Sequence, residues 1–553
     1  MAAQGGWDVR IGWVSDEYDL AIADVAVDVE QDGEVVAQGR SGPTGAILLD
    51  VPPGAYVLSL ARDGYGAKRV RAVLGPGQPP LRLRLLSDRL IGFVWPRWAR
   101  TGERSELRFH GTEPYRLSLW RYGRERELQR VLGWYDEHGP RAVMQILPDG
   151  DITVDGVHWN EVGYGGNPHH SYRVAAPERS GLYYVHAEGE SGAWFSAPWV
   201  VAPAAPSAPV AVVMSTNTWN AYNLFGGRSN YVNTPRLPDR PVVNARQDLH
   251  RFDESAMSAW GHPDDVYQPL SFERPEPGNL VPRDARPEDP IAGRLASSLA
   301  PAEWRLLAWL EREGFGYDTY SDQQLHDGTL DLAAYRVLII SVHPEYWSRR
   351  MLERVRDWVD GGGRFMVLGG NSINCEVVPA EDGRSLRFLT QLTSTDGALG
   401  MPDADDPSIW YDSRFHRTAF AEASVMGLAT TETGIMTAAP YRVAPGMDGH
   451  WVFAGTGLRD GDRFGEASLH ERCAGGASGH ETDKRTAQTP PEFVLLAKGT
   501  NPDEGGAEIV LREGIGAGGG AVFNVGSITY VPSLLVDAPI GRITRNVLER
   551  FLA

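Results

Sequence analysis

The spacing of hydrophobic and polar residues changes near residue 205, which divides the chain into a β-rich part and an α/β part. Before this point, short segments alternate apolar and polar residues between turns, as at 25–29, 56–60 and 181–186. A period of two indicates strands that bury one face. The segment 202–209, with three prolines and four alanines, is typical of a stiff linker. We therefore predict two β-sandwich domains, at residues 1–87 and 88–204, followed by an α/β domain at 205–553.

Beyond the linker, short apolar runs alternate with amphipathic segments of helical period. Such alternation favours βαβ units and a buried, mainly parallel sheet. Ser348 is placed to cap a helix that the glycines at 361–363 end. The other predicted helices are 302–313 and 542–552, and the predicted strands are 210–214, 337–341, 365–368 and 521–525.

Polar residues concentrate directly after the predicted strands. In an open parallel sheet, ligands bind beyond the carboxyl ends of the strands, so these residues are the first candidates for a functional site. They offer amide, imidazole, carboxylate and phenol groups, which bind metals or form hydrogen bonds. The segments are 217–223, 226–229, 343–347 and 369–371.

Charge and cysteine content narrow the class of protein. With 72 acidic and 53 basic residues the formal net charge is -19, which argues against a nucleic acid partner and favours a neutral or cationic small-molecule ligand. Cys375 and Cys473 are too few for a disulfide framework, which fits a reducing cytoplasm. The N-terminus lacks the pattern of a signal peptide, and no apolar stretch reaches the roughly 20 residues of a membrane span. We expect a cytoplasmic protein without a membrane partner.

Three common catalytic motifs are missing from the sequence. No Gly-x-Ser-x-Gly or Gly-x-Cys-x-Gly elbow follows a predicted strand, no phosphate loop occurs at 226–229, and no His-Glu-x-x-His helix occurs. A serine or cysteine nucleophile is therefore not supported. The hydrolytic chemistry that remains is metal-assisted.

Five short motifs follow one another along residues 205 to 553. They are Trp219-Asn220-Ala221-Tyr222-Asn223 with 226–229, His343-x-Glu345-Tyr346-Trp347, Gly369-Gly370-Asn371, 450–457 and Glu481-x-Asp483. In this order they resemble the large (beta) subunit of N,N-dimethylformamidase. The resemblance implies a flavodoxin-like, class I glutamine amidotransferase-like domain that has lost its cysteine triad and hydrolyses amides. The segment 51–56 also resembles a turn of carboxypeptidase-regulatory-like modules.

The family resemblance also implies a mononuclear ferric ion held by two tyrosines and a glutamate. Tyr222 and Glu345 match two of these ligands, and Tyr267 is the nearest candidate for the second tyrosine. His343, Asn371 and Glu481 fall on family positions that line the site. A lysine expected near residue 390 is absent, since 388–391 reads Phe-Leu-Thr-Gln, so the family's substrate does not carry over directly.

The chemistry of this ligand set is consistent with Lewis-acid hydrolysis. Two phenolates and one carboxylate carry a charge of about -3, which balances a trivalent cation that lowers the tyrosine pKa. Open coordination positions would let the ion polarise an amide carbonyl and acidify water. His343 or Glu481 would then move a proton to the leaving amine, and Asn371 would orient the oxygen. Aromatic residues for an apolar pocket around the amine substituents are Trp219, Phe225, Trp347 and Trp410.

Structural roles compete with these assignments. Tyr222 and Tyr267 can be ordinary packed tyrosines, Glu345 can favour a helix N-terminus, Asn371 can form a turn, and Glu481 can lie exposed in a polar loop.

A non-catalytic carbohydrate- or protein-binding protein is the rival function. A zinc or manganese hydrolase at the same cleft is a further alternative, using His262, Asp264 or Asp265 with His343 and Glu345. The β-sandwiches would shape the cleft or an interface in a homo-oligomer, with or without a small accessory subunit.

Overall fold

The computed structural model describes most of the chain in several stretches. The described residues are 8–16, 18, 20–85, 87, 89–111, 113–135, 171–225, 229–230, 241, 269–289, 298–389, 401–406, 410–411, 415, 420–431, 436–502 and 505–553.

The first β region has a hydrophobic core of its own. It consists of a three-stranded sheet ordered β4-β1-β7 and a four-stranded sheet ordered β3-β2-β5-β6. Alternate side chains of β5, namely Tyr56, Leu58 and Leu60, point into the space between the sheets. The strands predicted at 25–29 and 56–60 are thereby confirmed. The strands are β1 Asp8–Ser15, β2 Ala26–Gln31, β3 Glu34–Arg40, β4 Ala46–Asp50, β5 Gly54–Ala61, β6 Lys68–Leu74 and β7 Leu81–Arg84.

Because this core contains only residues between 11 and 85, we predict that it unfolds as a separate unit. Leu58→Ala removes a fully buried side chain and is expected to destabilise the first β region by about 2–5 kcal/mol. In differential scanning calorimetry one transition should move to lower temperature while the rest of the profile stays in place. A uniform shift of the whole profile would contradict independent folding.

The second β region is buried on both faces of its larger sheet. A three-stranded sheet, ordered β13-β10-β8, covers one face of the five-stranded sheet β12-β11-β14-β15-β9. The opposite face packs on the C-terminal part, where the Tyr122 and Trp304 ring centroids lie 4.8 Å apart. The strands are β8 Ile91–Trp95, β9 Trp98–Arg100, β10 Arg104–His110, β11 Tyr115–Tyr122, β12 Arg126–Tyr135, β13 Ser171–Ala175, β14 Gly181–Gly189 and β15 Trp194–Ala202.

The C-terminal part is built around a nine-stranded mixed sheet in the order β18-β16-β19-β21-β34-β33-β32-β28-β29. The strands are β16 Val210–Met214, β17 Leu270–Ser271, β18 Asp318–Ser321, β19 Val337–Val342, β20 Tyr346–Trp347, β21 Arg364–Gly369, β22 Cys375–Pro379, β23 Ser385–Phe388, β24 Met401–Pro402, β25 Trp410–Tyr411, β26 Ala429–Thr431, β27 Ala438–Ala439, β28 Tyr441–Val443, β29 Arg463–Phe464, β30 Ser478–Gly479, β31 Thr482–Lys484, β32 Val494–Gly499, β33 Glu508–Ile515 and β34 Gly520–Asn524.

The helices of this part follow from local sequence signals. Ser348 caps the helix Arg349–Asp360 by accepting a hydrogen bond from the Met351 amide. The helix Ala300–Glu313 ends at Gly314, which has the left-handed conformation with φ of 82°. Short 3-10 turns lie at Pro277–Asn279, Leu332–Ala334 and Trp451–Phe453. The helices are α1 Thr216–Ala221, α2 Ala300–Glu313, α3 Asp322–Asp327, α4 Arg349–Asp360, α5 Ala423–Met426, α6 Tyr530–Ser533 and α7 Ala538–Leu552.

The multidomain, β-rich prediction is confirmed, whereas the prediction of a mainly parallel sheet is correct for one half of the sheet only. Strands β18, β16, β19, β21 and β34 run parallel, but every pairing from β34 to β29 is antiparallel. The sheet changes to antiparallel pairing at β34 because a tight turn connects β33 to β34, and such a turn permits only an antiparallel pair. Most other sheets are antiparallel too. The flavodoxin-like identity and the domain bounds stay predictions.

No helix in the described stretches is both long enough and apolar enough to cross a membrane.

Candidate functional site

Three neighbouring parallel strands deliver the candidate residues to one edge of the sheet. Strand β16 leads into α1, whose last turn ends at Tyr222, and β19 is followed by His343 and Glu345. Strand β21 leads to Asn371. Because β19 pairs with both β16 and β21, their carboxyl ends meet.

A continuous chain of polar contacts joins five of the predicted residues. The Tyr222 hydroxyl donates a hydrogen bond to Glu345 Oε2 over 2.9 Å. His343 Nε2 lies 3.1 Å from Glu345 Oε2 and 3.1 Å from Glu481 Oε2. Asn371 Nδ2 donates to the same Glu481 oxygen over 2.8 Å. Tyr267, the sixth predicted residue, lies outside the described residues, as do His262, Asp264 and Asp265.

The backbone is held in an unusual conformation at this edge. Val342, at the end of β19, has φ of 61°, and Asn371 and His480 have φ of 50° and 70°. Asparagine tolerates the left-handed region, but a β-branched valine rarely adopts it. The surrounding structure therefore imposes a sharp change of direction directly before His343, a form of strain that is common at functional sites.

Gly370 lets two chain segments approach closely behind the site. A Cβ atom at this position would lie 2.3 Å from the carbonyl oxygen of Glu481 and 2.7 Å from the amide nitrogen of Ile528. Only glycine fits between them without a shift of the backbone. The loop that carries Glu481 thus lies directly against the end of β21.

Burial and charge set the protonation of the cluster. Burial lowers the pKa of His343, but the carboxylates of Glu481 and Glu345 outweigh this effect and raise it to about 10. Burial raises the pKa of Glu481, yet the nearby charge of His343 and the hydrogen bond from Asn371 hold it well below the usual range. At neutral pH the cluster therefore contains a charged imidazolium beside an ionised Glu481.

Thr430 and Asp483 orient Asn371 from behind. The Thr430 hydroxyl donates to Asn371 Oδ1 over 2.8 Å, so the amide nitrogen faces Glu481. Asp483 accepts hydrogen bonds from the backbone amides of Asn371 and Ser372, over 2.8 and 3.2 Å. No local signal in the sequence marks Thr430, whereas Asp483 belongs to the Glu481-x-Asp483 motif of the family resemblance.

Glu345 is held by its neighbours so that one oxygen faces Tyr222. Its backbone amide donates to Thr218 Oγ1 over 3.2 Å, and Cys375 Sγ lies 3.6 Å from Oε1. Oε2 is the oxygen that meets Tyr222 and His343. Cys375, buried in β22, thus packs behind a candidate ligand.

The predicted aromatic residues form walls of the hydrophobic cores. Trp219, Phe225 and Trp347 are at most 1% exposed and belong to three different core clusters. The Trp219 indole donates to Glu303 Oε1 over 3.1 Å. These three side chains are packed core residues, and the side chain of Trp410 lies outside the described part of the structure.

The oxygen donors present fit a hard, trivalent cation. The Tyr222 hydroxyl and Glu345 Oε2 are 2.9 Å apart, the tyrosine partly buried and the glutamate buried, and both are oxygen ligands of the type such ions prefer. Within the described stretches, no group of three or more His, Cys, Asp and Glu side chains is arranged to hold a metal ion.

Comparison with known proteins gives a family match over most of the chain. The family described as "N,N-dimethylformamidase beta subunit-like, C-terminal" matches residues 125–542. The N,N-dimethylformamidase beta subunit of Paracoccus aminophilus is 28% identical over 284 residues, which is 46% of this chain and 37% of that protein. The beta subunit from Alcaligenes sp. is 26% identical over 288 residues, with the same coverage. The matched part thus spans little more than a third of these relatives.

Similarity to solved structures is low. The mmIFT52 N-terminal domain aligns with 45% of this chain and 90% of its own length, at 12% identity and a TM-score of 0.26. This similarity carries no argument about fold or function.

Proposed function

The chain belongs to the N,N-dimethylformamidase beta subunit-like family, and from this premise we propose that it is an iron-dependent hydrolase of a small amide or formamide C–N bond. The observation that carries the proposal is the chain of contacts from the partly buried Tyr222 through the buried Glu345 and His343 to the partly buried Glu481. It lies at the strand ends where open sheets bind ligands.

In this proposal Tyr222, Glu345 and Tyr267 would hold a ferric ion. When bound, such an ion would supply Lewis-acid chemistry that polarises an amide carbonyl and acidifies water, without electron transfer. Tyr222, whose hydroxyl donates to Glu345 Oε2 in this structure, would bind as the phenolate and release its proton to solvent.

Glu481 handles the protons of the reaction. Its ionised Oε2 accepts a proton from the attacking water as the C–O bond forms, and it returns this proton to the amine nitrogen as the C–N bond breaks. Asn371 Nδ2 fixes the direction of that oxygen through the 2.8 Å hydrogen bond. His343 Nε2, 3.1 Å from Glu345 Oε2 and from Glu481 Oε2, holds the two carboxylates at a fixed separation.

The scaffold in this proposal is a flavodoxin-like, glutamine amidotransferase-like domain in which the metal site replaces the cysteine nucleophile. We further propose a cytoplasmic homo-oligomer. A small accessory subunit fits the curated relatives, whose names describe them as beta subunits. The rival function, a carbohydrate- or protein-binding protein, has no use for a stoichiometric metal.

The proposal is tested by metal analysis and a visible absorption spectrum of freshly purified wild-type protein, Tyr222→Phe and Tyr267→Phe. We expect about one iron per chain, with a tyrosinate-to-iron band that both substitutions weaken because each removes a phenolate ligand. Tyr115→Phe is the matched control, since this buried tyrosine donates to the Phe109 carbonyl over 2.7 Å within the second β region.

Two results would contradict the proposed iron site. Stoichiometric zinc or manganese without the band would favour the other-metal hydrolase. Folded wild-type protein without any metal would favour the binding protein.

A further inference from the structure

A buried arginine brackets the segment that carries Tyr222. Arg274 is fully buried, and its Nη2 donates to the Asn220 backbone carbonyl over 2.9 Å and to Asn220 Oδ1 over 3.0 Å. Its Nη1 donates to the Phe225 carbonyl over 3.1 Å. One guanidinium thus fixes the chain on both sides of Tyr222, which the five donors of its rigid fork permit.

Two asparagines strengthen this attachment from the opposite direction. Asn220 Nδ2 donates to the Leu270 carbonyl over 2.9 Å, and Asn223 Nδ2 donates to the Pro275 carbonyl over 2.8 Å. Both side chains are buried, so a lost bond would leave a polar group without water. The position of Tyr222 therefore depends on the position of segment 270–276.

Segment 270–276 is in turn fixed by the second β region. Arg97, which lies between β8 and β9, is 2% exposed and forms a buried ion pair with Glu276. Its Nη2 also donates to the Phe272 carbonyl over 2.6 Å. The Phe272 ring packs edge-on against Trp98, with ring centroids 5.0 Å apart. Breaking one side of such an ion pair leaves an uncompensated buried charge.

We propose that the second β region positions the metal ligand Tyr222. Arg97 of that region fixes segment 270–276, and Arg274 on that segment fixes Tyr222. This inference rests on the proposed function for the role of Tyr222 as a ligand. It makes Arg97 and Arg274 positioning residues. Arg97 lies before residue 125, so the site depends on a side chain outside the family match.

The test uses Arg274→Lys and Arg97→Lys in the full chain. Lysine keeps the charge, but its compact ammonium cannot reach both partners that the rigid arginine fork reaches. These partners are the carbonyls of Asn220 and Phe225 for Arg274, and Glu276 and the Phe272 carbonyl for Arg97. Arg305→Lys is the matched control, because Arg305 is equally buried and donates to the carbonyls of Pro287 and Asp289 without touching the 220–225 segment.

Two measurements are made on each variant. Amide hydrogen exchange in 218–225 of metal-free protein should become about tenfold faster or more in Arg274→Lys and Arg97→Lys, and should stay unchanged in Arg305→Lys. In iron-loaded protein the tyrosinate-to-iron band should shift and weaken per bound iron in the same two variants. Arg97→Lys is decisive if Arg274→Lys folds poorly, because Arg97 does not contact 220–225 itself.

The exchange measurement requires no metal and therefore separates the two proposals. Unchanged exchange in Arg97→Lys, or an equal change in Arg305→Lys, would overturn the inference even if wild-type protein holds iron. Faster exchange in Arg97→Lys and Arg274→Lys alone would support it even if the ion proves to be different.

Discussion

Replacing Glu481 with glutamine is expected to lower kcat for a small N-alkylformamide by about 10²- to 10⁴-fold, the range for loss of a general acid–base. Glutamine keeps the size of the side chain but cannot take up a proton from water or return one to the amine. Because Tyr222 and Glu345 are untouched, iron content and the tyrosinate band should stay as in wild type. Steady-state kinetics with metal analysis of the same samples checks both expectations.

A second buried glutamate provides the control for this experiment. Glu508 is 3% exposed and accepts a hydrogen bond from Arg485 Nε over 2.9 Å, so Glu508→Gln also neutralises a buried carboxylate. It should leave kcat per bound iron unchanged. Full activity of Glu481→Gln would rule out a proton-transfer role for this residue. Loss of iron would instead make Glu481 part of the metal site.

The position of the site could be predicted from the sequence because its residues follow buried strands directly. The apolar runs at 210–214 and 337–341 are short and bounded by polar segments, so they identify strands without knowledge of the fold. The rule that ligands bind at carboxyl ends then selects the segments 217–223 and 343–347, and the family resemblance singles out Tyr222, His343 and Glu345 within them. The Tyr222 hydroxyl and His343 Nε2 lie 2.9 Å and 3.1 Å from Glu345 Oε2.

Glu481 could not be derived from the strand pattern. It lies between β30 and β31, which are two and three residues long, in a stretch rich in glycine and serine. Such a sequence is typical of an exposed loop. The loop is instead fixed against the sheet by hydrogen bonds to residues distant in sequence. The backbone amide of Asp483 donates to the Gly526 carbonyl over 2.8 Å, and the backbone amide of Gly479 donates to Ser527 Oγ over 2.9 Å. Only the family resemblance pointed to it.

The second β region shows a related limit. The alternation at 181–186 predicted a strand with one polar face, yet every residue from 181 to 187 is buried. His186 Nε2 and the Tyr122 hydroxyl share a hydrogen bond of 2.6 Å. This bond allows the polar His186 side chain to be buried against another layer of the protein. Two-sided burial comes from docking on the C-terminal part. A single strand's pattern does not contain that information.

The close approach at Gly370 gives the last prediction, in which one methyl group disrupts the site without altering any polar residue. In Gly370→Ala the new Cβ would lie 2.3 Å from the Glu481 carbonyl oxygen, so the backbone of 481 or of 370–371 must move. Overpacking of this kind costs about 1–3 kcal/mol of folding stability. A displacement of about 1 Å would cost about 10²-fold in kcat.

Thermal unfolding and kinetics of Gly370→Ala would be compared with Gly316→Ala. A Cβ at residue 316 meets only the Ala208 side chain, at an ordinary 3.7 Å, so this control should change neither stability nor activity by much. We expect Gly370→Ala to keep the tyrosinate band, because Tyr222 and Glu345 lie on other strands, while losing turnover. That combination would place the contribution of Gly370 in the alignment of Asn371 and Glu481, whereas wild-type turnover would show that the backbone behind the site adjusts freely.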